Sequence, residues 1–119
     1  MIKLTFALVR LPHLSREAFQ HYWFETHAPL VASVKDVLRI RRYVQLHSLP
    51  AEASEPLRRA RGGPEGFDGV AQLWWDSFED MARDDPAAAE AGRLLLEDER
   101  RFIDLSRSPL WWGEEKVIF

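Results

Sequence analysis

The chain has 119 residues, of which 46% are hydrophobic and 29% charged, and this predicts one globular domain, residues 1–119. Its formal net charge of −3 excludes the basic surface by which proteins bind nucleic acids or anionic membranes. The absence of cysteine excludes a disulfide framework, a thiolate nucleophile and an iron–sulfur centre. Because the sequence shows neither a secretory leader nor a transmembrane stretch, we expect a cytoplasmic protein.

The first elements along the chain are a strand and a helix. Residues 2–10 are rich in β-formers and almost continuously apolar, which predicts a strand buried on both faces. Ser15 is a good N-cap for the helix that follows, and Trp23 and His27 lie one helical turn apart on its apolar face. Because proline disfavours helical geometry in the residue before it, the helix is predicted to end near His27, with Pro29 beginning a second short helix.

A second strand and a long loop come next. Residues 39–46 alternate in polarity, which predicts a strand with Tyr43 and Gln45 on one face and His47 continuing that face. Residues 48–66 contain three prolines and two adjacent glycines, and we expect a long loop there. Loops of this length are typical of functional lids or disordered segments.

The last elements are a strand, a helix and a strand. Residues 69–76 predict the third strand, with Gln72 and Trp74 on one face. The helix that follows is interrupted at Pro86, where Asp85 is expected to cap its restart, and then continues with apolar residues at helical spacing. A final strand is expected over residues 110–119.

The element order is therefore β-α-β-β-α-β, which predicts an α+β, ferredoxin-like fold. In this arrangement four antiparallel strands form one sheet and both helices pack on one face of it. The strands are too apolar on both sides for the second face to meet water. We therefore expect two copies of the chain to pair as a homodimer, sheet against sheet, in a dimeric α+β barrel.

His27 is the leading candidate for chemistry. A histidine titrates near neutral pH and can act as an acid or a base. Judged by spacing alone, the commoner interpretation is a buried histidine bonded to a backbone carbonyl at a helix end. A second polar group, formed by Tyr43, Gln45, His47 and Gln72 with Trp74, would line an aromatic pocket if these residues face the barrel interior. If they face solvent, they are ordinary surface residues, and the pattern leaves open which strand face is the inner one.

Metal chemistry is not indicated by the sequence. The four histidines are His13, His21, His27 and His47, and no HExxH pattern or cysteine partner accompanies them. His21 and Glu25 share a polar helix face and are explained by a solvated pair. We therefore predict no metal site.

The run YWFETHAPLV at residues 22–31 resembles the EthD-domain family of dimeric α+β barrels. The resemblance continues at residues 42–47 and 67–71 and covers essentially the whole chain. Relatives of the family include decarboxylases, dehydratases, an isomerase, cofactor-free monooxygenases and haem-degrading enzymes. The resemblance implies that His27 and Tyr43 form the polar centre, and it shifts the interpretation of His27 from a structural to a functional one.

Three functions remain open at this point. The first is a cofactor-independent enzyme that acts by acid–base chemistry on a small aromatic or cyclic metabolite, by oxidation, dehydration, decarboxylation or isomerisation. The second is a haem-binding oxidoreductase with His47 or His27 as axial ligand. The third is a non-catalytic protein that binds a small molecule. For the first, the catalytic candidates are His27 and Tyr43, and the candidate substrate-binding residues are Tyr22, Trp23, His47, Gln72 and Trp74.

Overall fold

The computed structural model describes residues 1–119 and contains one antiparallel sheet of four strands. These are β1 (Ile2–Leu8), β2 (Arg42–His47), β3 (Gly69–Trp75) and β4 (Leu110–Gly113), in the spatial order β2-β3-β1-β4. The two central strands are β1 and β3, the most apolar ones. The predicted ferredoxin-like α+β fold is confirmed.

The helices occupy the connections between strands. They are α1 (Arg16–Tyr22), a π-helical turn (Trp23–His27), α2 (Ala28–Ser33), α3 (Lys35–Leu38), α4 (Ala51–Arg61), α5 (Phe78–Met81), α6 (Pro86–Glu99) and a 3-10 turn (Leu105–Arg107). The predicted N-caps are observed. The Ser15 hydroxyl accepts from the Ala18 amide at 3.0 Å, and the Asp85 carboxylate accepts from the Ala87 amide at 3.0 Å.

The two faces of the sheet differ in what covers them. On the helix face, Phe6 and Leu8 of β1 and Ala71 of β3 pack with Phe19 of α1 and Phe102, which follows α6. The open face carries the alternate residues of the same strands and has no helix over it. It consists of Lys3, Thr5, Ala7, Arg42, Val44, Leu46, Val70, Gln72, Trp74 and Trp111.

The predicted helix end at His27 is wrong. The chain passes from α1 through the π turn into α2 without leaving helical geometry, and Ala28 has φ −60° and ψ −44°. The Ala28 amide donates to the Trp23 carbonyl, five residues back. Since Pro29 has no amide hydrogen, the wider turn accommodates it where an ordinary helix would clash. His27 therefore lies inside a helical segment, at its π turn, and not at a helix end.

The predicted loop over residues 48–66 is also wrong, because α4 lies within it. Pro50 directly precedes this helix, and Gly62 ends it in the left-handed conformation at φ 62°. Glu55 bonds to both Arg58 and Arg59 at 2.7 Å, which adds two stabilising pairs on the helix surface. Pro50 precedes the helix and Pro64 follows its end, whereas Pro56 lies inside it, so the prolines of this segment do not prevent a helix.

Two strand boundaries differ from those expected. Strand β2 begins three residues later than predicted, because Arg39 adopts a left-handed conformation at φ 57° that ends α3. Strand β4 stops at Gly113, and residues 114–119 form no regular structure. Val117, Ile118 and Phe119 are almost fully exposed there.

None of the helices is both long enough and apolar enough to cross a membrane. No cluster of three or more histidine, aspartate or glutamate side chains has an arrangement that would hold a metal ion.

Candidate functional site

The π turn aims two side chains at a single carboxylate on the opposite helix. The His27 Nδ1 lies 2.7 Å from one oxygen of Asp98, and the Tyr22 hydroxyl donates to the other oxygen at 2.6 Å. His27 and Asp98 are only 5% and 7% exposed. This buried triad joins α1 and the π turn to α6.

The bond to Asp98 fixes the tautomer of His27. Since an ionised carboxylate only accepts hydrogen bonds, Nδ1 carries the proton and donates it to Asp98. Nε2 makes no hydrogen bond to the protein. Burial lowers the pKa of His27 from its ordinary value, and the hydrogen bond and charge of Asp98 oppose that effect. The ring is thus a neutral imidazole with the Nε2 lone pair free, which is the form of a general base.

Tyr43 on β2 is held by a second hydrogen-bonded chain. The Gln45 side-chain amide donates to the Trp23 carbonyl at 3.0 Å and to the Tyr43 hydroxyl oxygen at 2.8 Å. The Gln45 carbonyl oxygen lies 2.7 Å from Nε2 of His47, so this nitrogen is the donor. Because the Tyr43 oxygen already accepts from Gln45, its own O–H hydrogen is free to be donated elsewhere. Burial raises the pKa of Tyr43, so the phenol keeps that proton.

These groups surround a small cavity between the helices and the sheet. It has a volume of about 50 Å³ and is lined mainly by apolar side chains, with three polar groups, His27, Tyr43 and Glu99. This space holds a few water molecules, so a ring-sized ligand must displace lining side chains on entry. An apolar cavity with a few convergent polar groups is the usual form of a small-molecule site.

Not all predicted site residues meet at this cavity. His27, Tyr43 and Trp23 line it, and Tyr22 contacts it through Asp98. The ring of Trp23 is 1% exposed and stacks on His47 with centroids 4.5 Å apart, so it forms a wall of the core. His47 itself lies outside the cavity and supports Tyr43 through Gln45.

Gln72 and Trp74 lie on the open face, on the far side of the sheet from His27. Trp74 packs under the cations of Lys3 and Arg42, at 4.8 and 4.9 Å from its ring, and its indole nitrogen donates to Glu115 at 2.5 Å. The predicted residues therefore do not share one pocket. The polar pocket lies on the helix face, because β2 turns Tyr43 toward the helices.

The sequence analysis missed two site residues, Asp98 and Glu99. The sequence does contain a signal for Asp98. Position 98 falls on the inward stripe of α6, one turn from Leu94, Leu95 and Phe102, so an acidic residue there had to find a buried partner. Its partners are 71 and 76 residues away in sequence, which no local pattern indicates.

A larger surface cavity of about 320 Å³ lies beside α4 and is lined in part by Arg16, Arg58, Glu55 and Glu65. Its basic residues are already paired, since Arg58 bonds to Glu55 at 2.7 Å and Arg16 lies 3.6 Å from Asp68. The basic run at residues 58–61 thus forms a solvated helix surface, in which Arg58 and Arg59 are paired with Glu55.

Haem does not fit the residues present. A porphyrin is many times larger than the cavity beside His27, and Nδ1 of that histidine is already bonded to Asp98. Nε2 of His47, the other candidate ligand, is engaged with Gln45. Neither histidine has an apolar slot beside it of the size a haem requires.

Comparison with known proteins agrees with this architecture. The EthD domain family matches residues 11–106. A protein of Metarhizium robertsii (strain ARSEF 23 / ATCC MYA-3075), named conidial pigment biosynthesis dehydratase EthD, is 31% identical over 120 residues. The match covers 95% of this chain and 81% of the Metarhizium protein.

Solved structures share the fold over nearly their whole length. An EthD-like protein of Ralstonia eutropha JMP134 has a TM-score of 0.64 at 21% identity and covers 99% of this chain and 94% of its own. An EthD family protein of Bacillus halodurans C-125 has a TM-score of 0.60 at 22% identity, covering 98% and 100%. A dimeric protein of Bacteroides fragilis NCTC 9343 with a ferredoxin-like fold has a TM-score of 0.58 at 9% identity, covering 96% and 95%.

Proposed function

The chain belongs to the EthD domain family, and from that premise we propose that it is a cofactor-independent dehydratase of a small cyclic hydroxyketone. The observation that carries the proposal is the neutral His27, held by Asp98 with its free nitrogen at an apolar cavity. The Metarhizium relative, a dehydratase by name, favours loss of water over the other reactions of this chemistry.

The first step of the proposed reaction is removal of a proton from the carbon next to the ketone. Nε2 of His27 takes this proton, and Asp98 stabilises the imidazolium that forms. The bond electrons move onto the ketone oxygen, which accepts the free hydrogen of the Tyr43 hydroxyl. The β-hydroxyl then takes up one proton and leaves as water, which gives an enone, and the proton that His27 took from carbon balances the one that leaves in the water. No redox partner is needed, because the reaction only removes water.

The two networks support different parts of this chemistry. The Asp98 network holds the base, and the chain from Trp23 through Gln45 holds the acid that polarises the ketone. Both are fixed by buried hydrogen bonds, so little reorganisation accompanies the charge movement.

The experiment uses 3-hydroxy-1-tetralone, a cyclic β-hydroxyketone whose dehydration yields fluorescent 1-naphthol. We expect His27→Ala to lower kcat/KM at least about 1,000-fold, since it removes the base, while circular dichroism shows a folded protein. His13→Ala, at an exposed position far from the cavity, is the matched control. Undiminished turnover by His27→Ala refutes the proposal, and ligand-induced stabilisation without any turnover by the unaltered protein favours a binding protein instead.

We also propose that the chain forms a homodimer through its open face. Leu46 and Trp111 are 57% and 51% exposed on this face, and the Bacteroides relative of the same fold is dimeric. Leu46→Arg places a charge on the face and should give a monomer in sedimentation. Leu96→Arg, at a 40% exposed position on α6, should leave the dimer intact. A monomeric unaltered protein at micromolar concentration contradicts this proposal.

A further inference from the structure

One ionisable group at the cavity has no place in the steps above. Glu99 is the last residue of α6 and lines the cavity together with Leu95, one helical turn before it. Its neighbour Asp98 turns instead toward Tyr22 and His27. The two adjacent carboxyl groups therefore have separate surroundings.

The two carboxyl groups differ in their hydrogen bonding. The Asp98 carboxylate accepts one bond at each oxygen, whereas the Glu99 carboxyl makes no hydrogen bond to any group of the protein. An unpartnered carboxyl in an apolar wall is far more stable with its proton than without it. Glu99 is thus the one acidic group at the cavity whose surroundings favour the acid form.

The balance of burial and nearby charge also favours the protonated form of Glu99. Burial, helped by the charge of Asp98 and opposed by Arg100, raises the pKa of Glu99 to about 7. The groups that face it from the other elements are His27 from the π turn and Tyr43 from β2, and both are neutral. Near neutral pH the cavity therefore holds a free base and an undissociated acid at the same time.

We propose that Glu99 is a third catalytic residue of this site, the acid that protonates the hydroxyl group as it leaves. This inference rests on the proposed dehydration. His27 first takes the carbon-bound proton, and the electrons rest on the ketone oxygen. When the enolate collapses, the bond from the β-carbon to oxygen breaks and the hydroxyl takes the Glu99 proton, leaving as water. The imidazolium of His27 returns its proton to the Glu99 carboxylate through that water, which restores both groups.

Glu99→Gln tests this role because it keeps the shape of the side chain and removes the acid. Two rates are measured with 3-hydroxy-1-tetralone: 1-naphthol formation, and exchange of the hydrogens next to the ketone for deuterium in D2O. We expect naphthol formation to fall about 100-fold while exchange stays within about 2-fold, because exchange needs only the base. The unaltered protein should lose activity above pH 7, where Glu99 gives up its proton, and the residual activity of Glu99→Gln should not show this loss. Glu97→Gln, on the solvent side of α6, should match the unaltered protein in both rates.

The possible outcomes distinguish a failure of the role of Glu99 from a failure of the proposed dehydration. Full naphthol formation by Glu99→Gln overturns the role of Glu99, and so does an equal loss of both rates, which indicates a structural effect. A His27→Ala variant that retains both rates overturns the proposed function itself. A substrate-free measurement completes the test: the carbon-13 signal of the Glu99 carboxyl, assigned by its absence in Glu99→Gln, should titrate near pH 7, and titration below pH 5 contradicts the inference.

Discussion

The two faces of the sheet carry similar residues, but the polar side chains on each face are bonded differently. Each face has an indole with hydrogen-bonding side chains beside it, Trp74 and Gln72 of β3 on the open face, and Tyr43 and Gln45 of β2 below Trp23 of the π turn on the helix face. On the open face, charged side chains that reach water surround the indole. On the helix face, polar groups bond to one another and leave three groups unsatisfied, the Nε2 of His27, the Tyr43 hydrogen and the Glu99 carboxyl.

The difference shows how a site is distinguished from a surface. Polar residues at a surface satisfy themselves with solvent and mobile charges, so their geometry is loosely held. Polar residues under the helices are shielded from bulk solvent. The polar groups there that form no hydrogen bond with a neighbouring residue lie at the cavity. The predictions below test whether the helix face is as rigidly built as this account requires.

The largest effect is expected at Gly69, the first residue of β3 on the helix face. A Cβ placed there would overlap the Trp23 ring and lie 2.9 Å from the Leu46 carbonyl oxygen. Since neither the buried indole nor the backbone can move away easily, Gly69→Ala should lower the free energy of unfolding by about 3 kcal/mol or more in urea titration. Because Trp23 also holds Gln45, the Tyr43 position should be disturbed as well.

Gly92→Ala is the matched control for that substitution. Gly92 lies in the exposed part of α6, and nothing occupies the space of an added Cβ within 4 Å. Alanine favours helical geometry, so this variant should gain about 0.5–1 kcal/mol of stability. If both substitutions change stability alike, the close packing of Trp23 on β3 is contradicted.

The next effect concerns pH and the cavity carboxyl. Between its unfolded pKa near 4.5 and its folded pKa of about 7, Glu99 holds its proton more tightly in the folded protein. The folded state therefore binds more protons than the unfolded state in this window, and the contribution of Glu99 to stability falls as pH rises through it. At pH 8 Glu99→Gln should be more stable than the unaltered protein by about 2–3 kcal/mol, and at pH 4 the two should be equal.

Urea titrations at a series of pH values measure that difference directly. The lowered pKa of His27 acts in the opposite sense, since its contribution is lost as pH falls below 6.5, but it is common to both proteins and cancels. Glu97→Gln, at an exposed site two residues away, should keep the pH dependence of the unaltered protein. A constant difference between Glu99→Gln and the unaltered protein from pH 4 to pH 8 would show that Glu99 has the same pKa in the folded and the unfolded protein.

The fold followed from the sequence because its signals are local. Strand periodicity, the caps at Ser15 and Asp85, and the element order predicted the sheet and its helices without any long-range information. The two errors in the predicted helices, the helix end expected before Pro29 and the missed helix α4, both come from prolines. A proline excludes one hydrogen bond, and here a π turn and a helix accommodate that loss.

The site could be predicted from the sequence only in part, because its residues are far apart along the chain. His27 and Tyr43 were identified from the family motif and the strand pattern. Their partners come from chain segments that meet only after folding, such as Asp98 at 71 residues from His27. The direction of Tyr43 depends on which sheet face the helices cover, and the alternation of β2 alone does not distinguish the two faces.

A smaller effect is expected from Tyr22→Phe on the helix face. The substitution removes the hydroxyl that donates to Asp98 at 2.6 Å and leaves one oxygen of a buried carboxylate without a partner. We expect a loss of about 1.5–2 kcal/mol in unfolding free energy, with the secondary structure unchanged. Naphthol formation should also decline modestly, because Asp98 then orients His27 less firmly. A variant as stable as the unaltered protein would show that water reaches Asp98.

The smallest effect is expected from the corresponding hydrogen bond on the open face. The Glu115 carboxylate accepts from the Trp74 indole and lies 3.6 Å from Lys3, and its side chain is about half exposed. Glu115→Gln retains an oxygen that can accept from the indole and gives up only a solvent-screened ion pair, so the urea midpoint should not move measurably. Sedimentation should show the same oligomeric state in 0.1 M and 1 M salt for both proteins. A clear drop in the urea midpoint would mean that the open face is built as rigidly as the helix face, and the distinction drawn between the two faces would be lost.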